Sequence, residues 1–217
     1  MPRIQTVLEA LDGTLSQKRR KYYARLTPSK GDETISLIRS TLAPVPVPEC
    51  IETFYRWKDG EARSLGLKPG YFFLNSSGLC GVYEKNRDDI TRYGFPSLFR
   101  WLIPVFYTDS RLDIAVVAYP NAKLEGHVVA IDGESQSIYL LSHNLSNFLS
   151  IIQQGWEENI YRENSSAEGS PFEYSLAELV IVRRVDGNEV LPRVQLGITK
   201  FDFEAREFWP CSWQALS

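Results

Sequence analysis

The feature that most constrains the fold is a run of strand-like segments within residues 102–141 that has no helical segment between its members. These apolar segments are 102–106, 114–119, 127–131 and 138–141. Parallel neighbours in a sheet need a crossover of about a dozen residues or more, whereas antiparallel neighbours need only a short turn. Asp132-Gly133 is a typical hairpin signal before the last segment. The spacing therefore predicts an antiparallel meander with residues 127–131 in a central strand.

Helices are predicted before this sheet, because apolar residues there recur at spacings of three and four. The apolar stripes are Ile4, Val7, Leu8, Leu11 and Leu15, then Ile35, Ile38 and Leu42, then Ile51, Phe54, Tyr55 and Trp57. We expect Asp32 to cap the second helix and Pro48 to be the first residue of the third. The basic run at residues 18–21 is interpreted as a solvated helix end rather than a nucleic-acid or membrane patch.

Two further helices and a short strand complete an α+β layout. Residues 71–74 form an aromatic strand candidate, and Ser76 or Ser77 can cap the helix that follows it. Asn144 can cap another helix, whose apolar stripe would cover the sheet. The predicted fold class is α+β, with a curved antiparallel sheet flanked by helices and a C-terminal extension.

The polar run at residues 164–171 is the strongest linker candidate in the chain. Beyond it, residues 179–185 and 190–196 flank Asp186-Gly187 and predict a second β-hairpin, followed by an aromatic tail. The predicted organisation is an N-terminal helix at 1–27 packed on the main domain, the main domain at 28–163, and the linker, hairpin and aromatic extension at 164–217.

Composition narrows the classes of partner. Lys plus Arg is 24 and Asp plus Glu is 27, a net charge of −3, which gives no general electrostatic reason to bind nucleic acid. The longest apolar run falls far short of the roughly 20 residues of a membrane helix, and the first residues lack a signal-peptide pattern. The 3 Cys include no Cys-x-x-Cys pair. We therefore expect a cytoplasmic protein that uses no nucleic acid and no membrane; its oligomeric state is left open.

Several segments together resemble a known family. Pro48-Glu49-Cys50-Ile51-Glu52-Thr53-Phe54-Tyr55-Arg56-Trp57-Lys58-Asp59-Gly60 resembles the entry motif of the SUKH superfamily, the Smi/Knr-like proteins. The resemblance continues in the same order through Trp101-Leu102-Ile103-Pro104, Gly126-His127-Val128-Val129-Ala130-Ile131-Asp132 and Asn147-Phe148-Leu149, so that it covers about residues 28–157. Val47 stands where the family has Leu, and the tail after Pro171 lies outside the pattern.

This resemblance implies an α+β fold with helices on one side of a curved antiparallel sheet, and a protein-binding role without catalysis. Many bacterial members of the family look like immunity proteins that neutralise toxin domains by stoichiometric binding, while fungal relatives are regulatory interaction hubs in cell-wall signalling. Immunity against a toxin domain is therefore the leading functional expectation, with a regulatory or scaffold role as the alternative. Neither role requires a cofactor.

An enzyme remains a third alternative. The chain has only 2 His, so a Cys80/His127 or a Cys80/His143 dyad is conceivable. The competing interpretation is that Cys80, beside Leu79 on an apolar helix face, is a small buried hydrophobe. No Gly-x-Ser-x-Gly, His-Glu-x-x-His, phosphate-binding or dinucleotide-binding motif occurs in the sequence. The two His and three scattered Cys also do not furnish a closed zinc site without carboxylates.

Acidic residues in and after the predicted strands are the candidate partner-binding residues. Asp109, Asp113, Glu125, Asp132 and Glu134 could converge on one rim of the sheet and attract a basic toxin surface, and all but Glu125 are taken as the candidate contact residues. The competing interpretation for each is ordinary solvated loop charge. Tyr55, Trp57 and Trp101 are alternatively binding anchors or core residues, since Trp and Tyr are common in both settings.

Overall fold

The fold is α+β, as the sequence predicts. A computed structural model describes residues 3–62, 66–93, 97–108, 113–120, 125–132, 137–161, 176–186 and 196–197. In this part of the chain, helices flank an antiparallel sheet, and a small two-stranded sheet lies beside them. No helix in these ranges has the length and apolar composition needed to cross a bilayer.

The elements follow one another along the chain as helices, strands and helices. The helices are α1 (Ile4–Lys18), α2 (Arg20–Tyr23), α3 (Asp32–Leu42), α4 (Glu49–Trp57), α5 (Ser76–Tyr93), α6 (Leu145–Glu157) and α7 (Leu176–Asp186), with a 3-10 helix at Ser97–Trp101. The strands are β1 (Leu26–Pro28), β2 (Lys58–Glu61), β3 (Tyr71–Phe73), β4 (Leu102–Thr108), β5 (Asp113–Val117), β6 (Val128–Asp132), β7 (Ser137–Ser142) and β8 (Leu196–Gly197).

The main sheet is a meander in which sequential strands are neighbours. Its order is β3-β4-β5-β6-β7-β8, and every pairing is antiparallel. Short turns suffice for this topology, which explains why residues 102–141 carry no crossover helix. The prediction that residues 127–131 enter a central strand is confirmed, since β6 lies between β5 and β7 and begins at Val128.

One face of this sheet shares a core with the helices. Ile103, Ile114, Val116, Val128 and Ala130 belong to the same buried cluster as the stripes of α1, α3, α4 and α6. A chain of aromatic rings runs through this core from α4 to the sheet and on to α6. The centroid separations are 4.3 Å for Phe54 and Phe73, 5.8 Å for Phe73 and Phe106, and 5.7 Å for Phe106 and Phe148. Burial of each such ring contributes about 1.5–3 kcal/mol.

The first residues of α3 and α4 differ by one position from the prediction. Gly31, not Asp32, is the N-cap of α3, and Asp32 lies in the first turn. Gly31 has φ +62°, a conformation that costs glycine little, and the Asp32 carboxylate still faces the positive end of the helix dipole. Pro48 is the N-cap of α4 rather than its first helical residue.

The caps of α5 and α6 are both asparagines. The Asn75 side chain accepts a 2.7 Å hydrogen bond from the Gly78 amide, so Asn75 caps α5 where Ser76 or Ser77 was predicted. The predicted cap of α6 is confirmed: the Asn144 side chain accepts a 2.8 Å hydrogen bond from the Asn147 amide. An asparagine oxygen reaches the amide three residues on as well as a serine hydroxyl does, so composition alone did not distinguish the two caps of α5.

Within the basic run at residues 18–21, Lys18, Arg20 and Lys21 are exposed as predicted, but Arg19 is buried, which corrects the prediction at that residue. Arg19 is only 5% exposed, and its guanidinium lies 4.3 Å from the centroid of the Trp156 ring and 4.4 Å from that of Tyr22. Lys18 Nζ donates to the carbonyl oxygens of Trp156 and Glu157 at the C-terminal end of α6. Lys18 thereby stabilises the C-terminal end of α6 through its carbonyls, an arrangement with no signature in the local sequence.

The predicted strand at residues 179–185 is wrong, because these residues lie in α7. Ile181 and Val182 are buried against Ile151 of α6. A short apolar run does not distinguish a strand from one buried face of a helix, and here packing on α6 decides. The predicted linker at 164–171 and most of the second hairpin strand lie outside the described residues, while Leu196–Gly197 pairs with β7.

Candidate functional site

Asp113 and Asp132 stand at strand ends on one end of the main sheet, which we call the acidic end, whereas Glu125 precedes β6 and lies at the opposite end, against the prediction of a single rim. At the acidic end, β4 finishes at Thr108, β5 starts at Asp113, β6 finishes at Asp132 and β7 starts at Ser137. Asp113 pairs with Ile131, and Asp132 pairs with Ser137. These strand ends therefore lie together. Asp109 and Glu134 fall in the segments 109–112 and 133–136 that connect these strands in sequence, and both segments lie outside the described residues.

Asp113 is held against α5 rather than standing in open solvent. Its Oδ2 accepts a 2.9 Å hydrogen bond from the Asn86 side-chain amide. Burial raises the pKa of the Asp113 carboxyl, while the Asn86 hydrogen bond and the charge of Lys85 act in the opposite direction. Asp113 therefore fixes the start of β5 on α5, a role that the charge pattern of the sequence did not indicate.

The opposite end of the sheet carries aromatic and imidazole rings, and we call it the histidine end: Trp101, Tyr119, His127 and His143. Trp101 and Tyr119 meet edge to face, with centroids 4.8 Å apart. The His127 and His143 rings have centroids 5.5 Å apart. Main-chain hydrogen bonds from Ala118 to the Trp101 carbonyl and from Val117 to the His127 carbonyl hold the strand ends together.

Asp59 and Gly60, which follow α4, form a tight corner with the start of α5. Gly60 has φ +75°, and a Cβ added there would lie 2.3 Å from the Asn75 backbone. The Asp59 carboxylate accepts hydrogen bonds from the Ser76 amide at 2.6 Å and from the Ser76 hydroxyl at 3.1 Å. We call Asp59, Gly60, Asn75 and Ser76 the Asp-Gly corner. It requires the motif's Asp and Gly for structural reasons.

Two of the candidate aromatic anchors are structural. Tyr55 is fully buried, and its hydroxyl donates a 3.0 Å hydrogen bond to the Leu74 carbonyl. Trp57 packs against the core, and its indole Nε1 donates to Asp12 at 2.9 Å. Trp101 is partly exposed, and its Nε1 has no hydrogen-bond partner in the part of the chain described. That Nε1 is buried, so only the exposed part of the Trp101 ring is open to a partner.

The cysteines next to the helical core have thiols that resist ionisation. Burial raises the pKa of Cys80, and the side chain that hydrogen-bonds its thiol is Thr41 of α3. Burial likewise raises the pKa of Cys50 to about 11. A thiolate is the nucleophilic form of cysteine, and a catalytic thiol has a lowered pKa. The shift at Cys80 is thus opposite to the one that a Cys/His dyad uses.

A buried ion network beneath α7 was not visible in the sequence. Lys68 Nζ lies 2.6 Å from Glu178 Oε1, and the Tyr161 hydroxyl donates to the same carboxylate at 2.7 Å. Lys68 and Glu178 are 7% and 5% exposed. Lys68 Nζ also lies 4.6 Å from the centroid of the Tyr71 ring. We call Lys68, Tyr71, Tyr161 and Glu178 the α7 network.

Arg19 extends this buried polar region toward α6. Its Nη1 donates a 2.6 Å hydrogen bond to the Gly66 carbonyl, two residues before Lys68. Burial raises the pKa of Tyr22, and the neighbouring Glu61 carboxylate raises it further. The only sequence signal was a charged residue within an otherwise apolar stretch, Glu178, and its lysine partner lies 110 positions earlier.

Comparisons with protein-family models and with curated proteins find no match to this chain. Within the described ranges, no three His, Cys, Asp or Glu side chains are grouped so that they could hold a metal ion.

Proposed function

We propose that the chain is a non-catalytic protein-binding module of the SUKH type, and that it acts in the cytoplasm as an immunity protein that neutralises a bacterial toxin domain by stoichiometric binding. The acidic end of the sheet is the proposed contact surface. Asp109, Asp132 and Glu134 would supply its charge, while Asp113 would hold the start of β5 in place.

The observation that carries the proposal is the structural use of the motif residues. Asp59 accepts a hydrogen bond from the first residue of α5, and Gly60 allows the chain to approach the Asn75 backbone closely. Because these motif residues are needed for the fold, related proteins would share them even if they bind different partners. The order of elements also matches the resemblance: helix, proline link, helix, Asp-Gly corner, meander and asparagine-capped helix.

The chemistry of the proposed surface is electrostatic. Carboxylates on adjacent turns create a negative potential, which accelerates encounter with a basic surface such as that of a nuclease domain. The proposal requires these charges to act through solvent, where added salt screens attraction over distances greater than about a Debye length. The hydrogen bond of Asp113 to Asn86 fixes the start of β5 on α5.

The test is binding to the toxin domain encoded beside the gene for this chain. Reversal of Asp109, Asp132 and Glu134 to Lys should slow association about tenfold or more at low salt and flatten its salt dependence. The matched control reverses Glu9, Glu33 and Glu49, exposed acidic residues of the helical layer, and should bind as the parent does. Equal effects of the two triple variants would refute the proposed surface.

A second experiment separates binding from turnover. The Cys80→Ala/His127→Ala/His143→Ala variant should still protect cells against the toxin at stoichiometric expression, provided that its circular dichroism spectrum is unchanged. Loss of protection by a folded triple variant would favour the enzyme alternative. Several unrelated partners in a pull-down, with no toxin among them, would favour the regulatory role.

A further inference from the structure

His127 directly precedes β6 and His143 directly follows β7, so both residues adjoin the paired ends of neighbouring strands. Val128 pairs with Ser142 in an antiparallel register, so the next position outward places His127 opposite His143. Residues that face each other across an antiparallel pair have Cβ atoms about 4.5–5.5 Å apart, close enough for their side chains to act on one ligand. The ring centroids are 5.5 Å apart and the ring planes are inclined by 60°.

This separation fits two imidazoles bound to one metal ion. A zinc ion lies about 2.0–2.1 Å from a histidine nitrogen and therefore about 3.2 Å from the ring centroid. At a tetrahedral angle, two such rings have centroids about 5.2 Å apart. The observed spacing needs an adjustment of only a few tenths of an ångström. The 60° angle between the two ring planes also shows that the imidazoles are not stacked face to face.

The backbone holds both histidines in place before any ligand binds. The His127 carbonyl accepts a 2.9 Å hydrogen bond from the Val117 amide. His143 directly precedes Asn144, whose side chain is fixed as the cap of α6. Ligands on a rigid backbone lose little freedom when they bind a metal, which raises the affinity of the site.

One ring nitrogen of His127 is already oriented by the main chain. Its Nδ1 lies 3.4 Å from the Glu125 carbonyl oxygen, a contact that favours the tautomer with the proton on Nδ1. Histidine ligands of metals commonly donate one ring N–H to a backbone carbonyl in this way, and the other nitrogen, here Nε2, is then the ligand.

We propose that His127 and His143 form a two-imidazole site for an exchangeable divalent transition metal of the Zn²⁺ class, with water completing the coordination. The site is separate from the acidic end and does not depend on the proposed function. Imidazole suits Zn²⁺, Ni²⁺ and Cu²⁺, whereas Mg²⁺ and Ca²⁺ require oxygen ligands. Two protein ligands leave open positions, so the ion exchanges with solvent and is not part of the folded core.

The test uses the fact that the chain contains only 2 His. The imidazole proton signals of the untagged protein are followed by NMR during titration with ZnCl2 and, separately, with MgCl2. Both histidine signals should shift together with Zn²⁺, with the same dissociation constant and a stoichiometry of one, and neither should shift with Mg²⁺. A shift of one signal alone, shifts that do not saturate, or no shift would overturn the proposal.

Single variants provide the control for shared ligation. In isothermal titration calorimetry, His127→Gln and His143→Gln should each weaken Zn²⁺ binding by about tenfold or more, because loss of even a supporting residue around a metal ligand costs 10–100-fold. Each variant should also abolish the saturable Zn²⁺ shift of the remaining histidine signal. Zn²⁺ binding that survives either substitution unchanged would place the ion elsewhere and contradict the site.

Discussion

The Asp-Gly corner and the α7 network both join separate parts of the molecule, but they do so over very different distances in sequence. At the corner, Asp59 reaches Ser76 across 17 positions, and the turn is formed by one glycine with a positive φ. In the α7 network, Glu178 meets Lys68 across 110 positions and Tyr161 across 17.

The comparison shows why one region could be recognised before the fold was known and the other could not. An Asp-Gly turn has its own local chemistry, since glycine tolerates the left-handed region and Asp caps the start of a helix. A buried ion pair has no local sequence pattern, because it exists only once its two residues meet in the folded chain. Substitutions in each region measure how much each arrangement contributes to stability.

The largest effect is expected in the α7 network. Lys68→Met removes the cation and leaves the Glu178 carboxylate buried without its charge partner, so the free energy of unfolding should fall by about 3–5 kcal/mol. Urea unfolding followed by tryptophan fluorescence measures the change.

The control is the double variant Lys68→Met/Glu178→Leu, which removes both charges. It should recover at least half of the lost stability, because apolar residues of similar size often replace a buried pair without net cost. The exposed pair Lys30–Glu33 provides the opposite control, since Lys30→Met should change stability by no more than about 0.5 kcal/mol. A double variant as unstable as Lys68→Met would contradict the charge argument.

The next effect is expected at the Asp-Gly corner. Gly60→Ala would place a methyl group 2.3 Å from the Asn75 backbone at a φ of +75°. Strain and overpacking together should cost about 2–4 kcal/mol, measured by thermal unfolding. Gly13→Ala is the matched control: Gly13 lies within α1 with open space around it, so this change should stabilise by about 0.5–1 kcal/mol. Destabilisation of similar size in both variants would show that the corner is not special.

A smaller effect is expected from the Asp59 side chain. Asp59→Ala removes both acceptors of the Ser76 hydrogen bonds and should cost about 1–2 kcal/mol. Asp59→Asn keeps one oxygen for the Ser76 amide and should restore most of this stability. Chemical unfolding of the two variants side by side is the measurement, and an Asn variant as unstable as the Ala variant would mean that the negative charge, not the geometry, matters.

The smallest effect is expected at Asp113. Burial disfavours the ionised form of its carboxyl group, and the carboxylate forms no ion pair among the described residues. Because its folded pKa is raised, the folded state holds the proton more tightly than the unfolded state, whose pKa is about 3.9. Stability therefore falls as pH rises from the unfolded pKa through the folded one, and the cost is complete above both.

Asp113→Asn removes that penalty and keeps an oxygen for Asn86. It should stabilise the protein at pH 7 by up to about 1 kcal/mol, a rise of about 2–4 °C in Tm, and the gain should vanish below pH 4. Melting curves between pH 3.5 and 8 are the measurement. A gain in stability that grows as the pH falls would show that the pKa of Asp113 is shifted in the opposite direction.

The sequence by itself determined the α+β class, the antiparallel meander and the Asn144 cap. These depend on relations between residues near one another in the chain: the spacing of apolar residues, the absence of a crossover between 102 and 141, and the reach of an asparagine side chain to the amide three residues on. The turn at Asp59-Gly60 after α4 was also visible, because Asp-Gly is a typical turn sequence, but its contact with Asn75 and Ser76 was not.

Only the tertiary structure decided the helical state of residues 176–186, the burial of Arg19 and the attachment of Asp113 to α5. Each depends on a partner far along the chain: Ile151 for the apolar face of α7, Trp156 for the Arg19 guanidinium, Asn86 for the Asp113 carboxylate. The meeting of His127 and His143 likewise required the register of β6 and β7. An apolar run or a single charge has the same local pattern in several environments, and its free energy differs among them only once packing excludes water and brings the partner into contact.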